Sequence, residues 1–280
     1  MITDEEFRSL TSYIKKEYGI DLNRKKSLVA GRLQPWLREK NFSSVSEYMR
    51  HAMADSSGEA LSDLLNRLTT RHTYFMREAD HFFYLNKTVL PYLISKERTG
   101  KDLRFWSAGC ASGEEAYTLA MLLLDASLLM GRDWDTRVLA TDISSHALEK
   151  ARTGIYSNEA IRPLPPAWQK RYFRKIDDQN SQILDFVRRE VIFRRFNLMN
   201  KVFPFKRKFH VIFCRNVMIY FDNQTKQDLV ERFYHWTEPG GYLFVGLSES
   251  LSRQDTPYKF IKPGIYRKEP LHENSDERIG

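Results

Sequence analysis

Cysteine is scarce in this chain, and long apolar runs are missing. Of 280 residues only Cys110 and Cys214 are cysteines, and they do not form a C-x-x-C pair. A disulfide framework and a thiolate zinc site are not expected, and a reduced, cytoplasmic setting is. The seven histidines show no ligand spacing, so no metal is expected. Apolar runs stay far short of the roughly 18 residues that a membrane helix requires, so no membrane insertion is expected. The opening MITDEEFRSL is acidic and has no signal-peptide apolar core.

What the chain does have is unevenly placed positive charge. Its net charge is +8. Between Arg152 and Arg215 there are 15 Lys/Arg against 5 Asp/Glu, an excess of 10 that exceeds the whole net charge. A second basic run, NRKKSLVAGRLQPWLREK, lies near the start. Either these are solvated lysine-rich faces, or they attract an acidic partner, nucleic acid or protein.

Periodicity divides the chain. Residues 1 to 75 read as helices only. DEEFRSLTSYIKKEYGI places Phe7, Leu10, Ile14 and Tyr18 at helical spacing, with Thr3 or Asp4 as cap and Gly19 as stop. A second helix pattern begins at Lys25, with Leu28, Leu33 and Trp36 expected to face inward. Ser44 is a cap candidate for a third, and Leu61, Leu64, Leu65 and Leu68 share a face of a fourth. From residue 102, strand candidates LRFWSA, TRVLATDI, VIFRRFNL, FHVIFCRN and GYLFVGLSES are separated mostly by helix patterns at Glu114 to Met130, Ser145 to Arg152 and Asn223 to Trp236. Such alternation predicts an α/β fold with a mostly parallel sheet. KFIKPGIYRK reads as one closing antiparallel strand, bent at Pro263-Gly264. RYFRKIDDQNSQILDFVRREV predicts an inserted β-hairpin over about 170–192, and residues 269–280 a disordered tail.

Ligands of open parallel sheets sit beyond the carboxyl ends of the strands. Polar residues mark three such ends: the turn Gly109 to Glu115, Asp142, and Arg215-Asn216. The turn is G-x-x-x-G rather than the dinucleotide G-x-G-x-x-G, and Glu114-Glu115 occupy the helix start. Two carboxylates there repel a pyrophosphate, and no Walker A lysine is present. The ligand should lack phosphate and carry a cation, which S-adenosylmethionine satisfies. Asp142 can accept from its ribose hydroxyls and Glu115 can face its cationic side. Alternatively the glutamates only complement the helix dipole, and Asp142 only caps the next helix. Cys110 and Cys214, beside these ends, read as small apolar packers.

LTTRHTYFMRE, FWSAGCASGEEAYTLAM, LATDIS, FNL and FCRNVMIYF occur in that order, and together they resemble the chemotaxis-receptor glutamate methyltransferases, the CheR family. The resemblance spans residues 4 to 268. It implies a class I S-adenosylmethionine-dependent methyltransferase, Rossmann-like, over residues 76–268, with a small all-α N-terminal domain over 1–75 and a β-subdomain. It implies cofactor contacts at Thr73, Arg77, Glu115, Asp142, Asn197, Leu198 and Asn216, which join Gly109 and Arg215 from the turn and strand ends. Arg77 and Tyr220 would lie near the transferred methyl, although on sequence alone Arg77 could be a surface ion pair with Glu78 or Asp80, and Tyr220 a core aromatic. The chain departs from the family at three places. Arg71 stands where Asn is frequent, Ala116 follows the Glu pair where Pro is frequent, and no glycine lies between Ile176 and Val191. The last departure argues against a glycine-turned hairpin that grips a receptor's C-terminal peptide.

The implied reaction methylates glutamate side chains on the cytoplasmic domains of chemotaxis receptors, leaving S-adenosylhomocysteine. Glutamate has an ordinary pKa of about 4.3, so its carboxylate is already the nucleophile at pH 7 and no general base is needed. A monomer is expected, with Lys25 and Arg32 on a basic face that docks on acidic receptor helices. Two other readings compete. A nucleic-acid methyltransferase suits the basic charge, but RNVMIYF lacks the Pro-Pro-aromatic motif that stacks a flipped base. A non-catalytic S-adenosylmethionine sensor would favour loss of Arg77 or of the glycine turn, and both are present.

Overall fold

The computed structural model describes residues 2–69, 72–97, 100–130, 134–251 and 256–270. Arg71 and nearly all of the expected tail lie outside them.

Four helices come first: α1 (Asp4–Tyr18), α2 (Lys26–Glu39), α3 (Val45–Ala54) and α4 (Glu59–Leu68). Thr3 and Glu6 cap α1 reciprocally, each side chain accepting the other's backbone N–H, and Gly19 ends the helix at φ +73°. Ser44 caps α3 by accepting from Glu47 N at 3.0 Å. In α2 the inward stripe is Val29, Leu33, Trp36 and Leu37. Leu28, expected to face inward, is 42% exposed. The helix starts at Lys26, with Lys25 as its cap, and the i, i+4, i+7, i+8 stripe begins one residue later than the pattern suggested.

A connecting stretch, α5 (Ala79–Tyr84), a π-turn (Leu85–Val89) and α6 (Leu90–Lys96), leads to the sheet. Its parallel part holds β1 (Phe105–Ala108), β2 (Val138–Asp142), β6 (Val191–Arg195), β7 (Phe209–Cys214) and β8 (Thr237–Val245), in spatial order β6-β2-β1-β7-β8. The crossover helices α7 (Glu114–Met130), α8 (Ser145–Thr153) and α11 (Asn223–Trp236) match the sequence reading to within one residue. The expected single closing strand is two, β9 (Lys259–Lys262) and β10 (Ile265–Arg267). They pair with each other, and β10 lies antiparallel against β8. The Pro263-Gly264 bend is a hairpin turn, with Gly264 at φ +72°. The inserted hairpin is larger than expected: β4 (Phe173–Lys175) and β5 (Asn180–Ile183) are joined by β3 (Ile155–Ser157) in a separate antiparallel sheet, flanked by α9 (Pro166–Tyr172) and α10 (Asp185–Arg188). Its turn needs no glycine, because Asp177 Oδ1 accepts from the backbone N–H of Gln179 and Asn180 at 2.7 Å each.

Alternation along the strands builds two cores. Phe105, Phe213 and Phe244 face α7 and the connecting stretch, whereas Trp106, Ile212 and Leu243 share the other core with the N-terminal helices. Those helices sit over the carboxyl end of the sheet. Ile20 forms an antiparallel bridge with Phe221, Asp21 N donates to Tyr220 O at 2.8 Å, and Arg195 donates to the carbonyls of Ser57 and Gly58. A cavity of about 280 Å³ remains between the two parts.

Candidate active site

The floor of this cavity is the turn after β1. Gly109 adopts φ +90°, and a Cβ there would meet Val217 Cγ2 at 2.4 Å, because the Val217 side chain already occupies that place. The amides of Gly109 and Cys110 both donate to Thr141 O, at 2.7 and 2.9 Å, which ties the turn to the end of β2. Asp142, one residue on, accepts from Ala111 N and Ser144 N at 2.9 Å each. The same carboxylate therefore lines the cavity, shapes the glycine turn and steadies the start of α8. The reading of Asp142 as a helix cap is met instead by Ser144, whose hydroxyl accepts from Ala147 N.

The two glutamates of the turn diverge. Glu114 is buried, accepts from Ser112 Oγ, and does not line the cavity. Glu115 does line it, accepting from Ser107 Oγ at 2.7 Å and from Arg215 Nη1 at 3.3 Å. Burial pushes its carboxyl up, against the pull of Arg215 and Ser107.

Arg215 is the hub of the site. Its side chain is 2% exposed and bridges Glu115 to Glu78, at 3.3 and 3.1 Å. It also donates to the Arg77 carbonyl and stacks over Phe82. Burial would raise the Glu78 carboxyl, but Arg215 and the Asn216 amide hold it below the ordinary range. His81, 3.5 Å from Glu78, is driven down to about 4 by burial and Arg215. Near neutral pH it is uncharged, so the counterion of Glu78 is Arg215. The alternative of an ion pair between Arg77 and Glu78 is not met, since Glu78 pairs with Arg215. Arg77 instead donates to the His72 carbonyl, with its guanidinium 6.0 Å from the Tyr74 ring centre, and is half-buried at the cavity wall.

The loop after β7 supplies the opposite wall. Asn216 has φ +60° and donates Nδ2 to Glu78 Oε1 at 3.2 Å. Glu249, beyond β8, accepts from the backbone N–H of Asn216, Ile219 and Gly246. Burial pushes Glu249 up and these bonds oppose it. Tyr220 is half-buried at the mouth, with Lys25 Nζ 5.8 Å from its ring centre. Thr73 and Leu198 also line the cavity. Asn197 lines it too, although its amide is engaged with Glu17 O and Met199 N. Glu78, Ala111 and Asn216 are three of the six non-glycine residues with positive φ among the described residues. Strain of that kind persists only where surroundings enforce it, and it gathers at sites.

All nine expected cofactor contacts and Tyr220 thus meet at one cavity. Of the two partner-face residues, Lys25 does not line the cavity but lies against Tyr220, which does, with Nζ 5.8 Å from its ring centre. Arg32 is half-buried and donates to Leu68 O at 2.8 Å, so it braces α2 against α4. Glu78 and Glu249 are the site residues that sequence reasoning missed. In the sequence Glu78 stands out only as a neighbour of Arg77. For Glu249 the available signal was a carboxylate just past the apolar run of β8.

Residues 71–266 match the family model described as CheR methyltransferase, SAM binding domain, and residues 5–69 the CheR methyltransferase all-alpha domain. The chain belongs to the CheR methyltransferase family. A chemotaxis protein methyltransferase of Borreliella burgdorferi is 37% identical over 270 residues, 95% of each chain. Chemotaxis protein methyltransferase 2 of Vibrio cholerae is 35% identical over 283 residues, 99% of this chain and 97% of that one. The Escherichia coli relative is 34% identical over 95% of this chain and 91% of its own. This CheR-family chain is a class I, S-adenosylmethionine-dependent methyltransferase of the chemotaxis type, with the all-α domain and the extra antiparallel sheet described above. Among the described residues no helix is long and apolar enough to cross a membrane.

The cavity suits that cofactor. Its floor is the backbone of the Gly109–Ala111 turn, Asp142 and Glu115 present acceptor oxygens, and the buried Arg215 guanidinium is committed to Glu78 and Glu115 rather than offered to a phosphate.

Proposed function

We propose that the protein esterifies glutamate side chains on the cytoplasmic domains of chemotaxis receptors, working in the cytoplasm as a monomer and without a metal. The observation that carries this reading is the placement of Arg77 and Tyr220 on the wall and mouth of the cavity whose floor carries Asp142 and Glu115. S-adenosylmethionine supplies an electrophilic methyl on a sulfonium. Asp142 would accept from its ribose hydroxyls, and the backbone at Gly109 gives its chain room. The ion-paired Glu115 keeps negative potential on the side that meets its cationic end.

An incoming glutamate is already ionised near neutral pH, so the protein's task is alignment and removal of water rather than proton transfer. Arg77 can hold one carboxylate oxygen by a charge-assisted hydrogen bond. Its modest ties, a carbonyl and a tyrosine face, leave donors for that purpose. Tyr220 can donate a neutral hydrogen bond and wall the methyl. Lys25 beside Tyr220 favours an acidic receptor surface, and the basic excess between Arg152 and Arg215 adds long-range attraction.

Single-turnover methylation of receptor-containing membranes tests the reading. Arg77→Ala should slow methyl transfer far more than it weakens S-adenosylmethionine binding, and Tyr220→Phe should lose less because the ring remains. A near wild-type single-turnover rate in Arg77→Ala would exclude its role. Base-stable label in the product, rather than a base-labile methyl ester, would exclude carboxylate methylation.

A further inference from the structure

A second concavity, about 500 Å³, opens on the sheet edge formed by β6 and shares no lining residue with the active-site cavity. Four arginines line it: Arg152 from α8, Arg188 and Arg189 from α10 and its end, and Arg194 from β6. The single carboxylate in the lining, Asp185, is already held by Arg188 at 2.7 Å. Backbone carbonyls fix three of the guanidinium groups. Arg152 and Arg194 both donate to Phe193 O, at 3.4 and 2.9 Å, and Arg188 donates to Thr153 O at 3.2 Å. Arg188 Nε is buried without a hydrogen-bond partner.

Carbonyls orient a guanidinium but do not neutralise it. Four cations around one hollow, with one carboxylate between them, make it a region of positive potential that favours entry of an anion. Protection of an exposed sheet edge by charge is the plainer account. It explains Arg194, which lies on β6. It does not explain why Arg152, Arg188 and Arg189, from two other elements, turn into the same hollow. Guanidinium forks match phosphate oxygens bidentately. We propose that this concavity is a binding site for a small molecule bearing two or more phosphate charges, such as a diphosphate group.

Calorimetric titration of the full chain with inorganic pyrophosphate at physiological salt tests this. Saturable binding at one site is expected, weakened about tenfold or more by Arg189→Glu and by Arg194→Glu, as loss of a charge-assisted contact implies. S-adenosylmethionine affinity should stay unchanged in both variants, which also shows that they are folded. Arg189→Gln should give a smaller loss in the same direction. Parallel arms separate the sources of the group: ADP binding more tightly than pyrophosphate indicates a free nucleotide, whereas pyrophosphate-sensitive binding to vesicles containing cardiolipin, which carries two phosphates, indicates a headgroup. Absence of saturable pyrophosphate binding overturns the proposal, as does binding at wild-type strength in both reversals or binding displaced by S-adenosylhomocysteine. If pyrophosphate does not bind yet the reversals slow receptor methylation, the hollow contacts a protein and the proposal is likewise overturned.

Discussion

Replacing Arg215 by methionine should destabilise the fold strongly near neutral pH and much less in mild acid. The side chain fills similar space but removes the cation between Glu78 and Glu115, both held within 3.3 Å of it. Breaking a buried pair by deleting one partner costs about 3–5 kcal/mol, because the remaining charge is buried uncompensated. At roughly 2–4 °C per kcal/mol for a chain of this size class, Tm should fall by about 6–20 °C. The pH dependence follows from the two carboxyls. Glu78 sits below its ordinary value in the native protein, so its contribution is present above the unfolded pKa and disappears as pH falls through the folded pKa. Glu115 already sits above its ordinary value, so its stability is fullest below the unfolded pKa and is lost as pH rises through the folded one. Without Arg215 both should behave like Glu115, since only burial and hydrogen bonds remain, and Glu78 then stops favouring high pH. The Tm gap between variant and wild type should therefore be widest near pH 7.5 and narrow toward pH 5. Adding Glu115→Gln to the variant removes one unpaired charge and should recover part of the loss at pH 7.5. Scanning calorimetry at the two pH values decides the matter. A gap of the same size at both, or no recovery in the double variant, would refute the claim that Arg215 works by neutralising these carboxylates.

Gly109→Ala should sharply weaken S-adenosylmethionine binding, because φ +90° and a Cβ 2.4 Å from Val217 force the turn to move; calorimetry showing wild-type affinity would contradict the close-approach argument, and Val217→Ala should restore little because the backbone strain remains. Asp142→Ala should weaken cofactor binding by about 1.5–3 kcal/mol, the range for hydrogen bonds involving a charge, and should also loosen the turn, since Ala111 N and Ser144 N lose their acceptor; hydrogen exchange at those amides checks the second effect. Lys25→Glu should slow receptor methylation at subsaturating receptor in low salt without altering cofactor affinity, and wild-type rates should fall as salt rises because exposed charges are screened over about 8 Å. Arg32→Glu should instead lower Tm by breaking the tie to Leu68 O; a variant that loses docking but no stability would restore Arg32 to the contact face.

The alternation of strands and helices, and the helices α7, α8 and α11, were legible residue by residue, because apolar period and caps are local properties of a chain. The three strand-end positions that line the cavity were legible for a related reason. A glycine turn, an aspartate and an arginine at strand ends fall together by the geometry of any open parallel sheet. Family motifs added Thr73, Arg77, Asn197, Leu198 and Tyr220, whose convergence no periodicity could have indicated. Partnership was decided only in three dimensions. Arg215 pairs with Glu78 across 137 positions, and the backbone N–H of Asn216 donates to the Glu249 carboxylate, 33 positions on. Which carboxylate meets which cation depends on how the connecting stretch folds back over β7. The same holds for Arg32 and Leu28: one residue of helix phase, set by packing against α4, turned one toward a carbonyl and the other toward solvent. The arginine hollow on the β6 edge also arises only in the fold, since its side chains come from α8, α10 and β6, and the sequence shows them merely as part of a basic stretch.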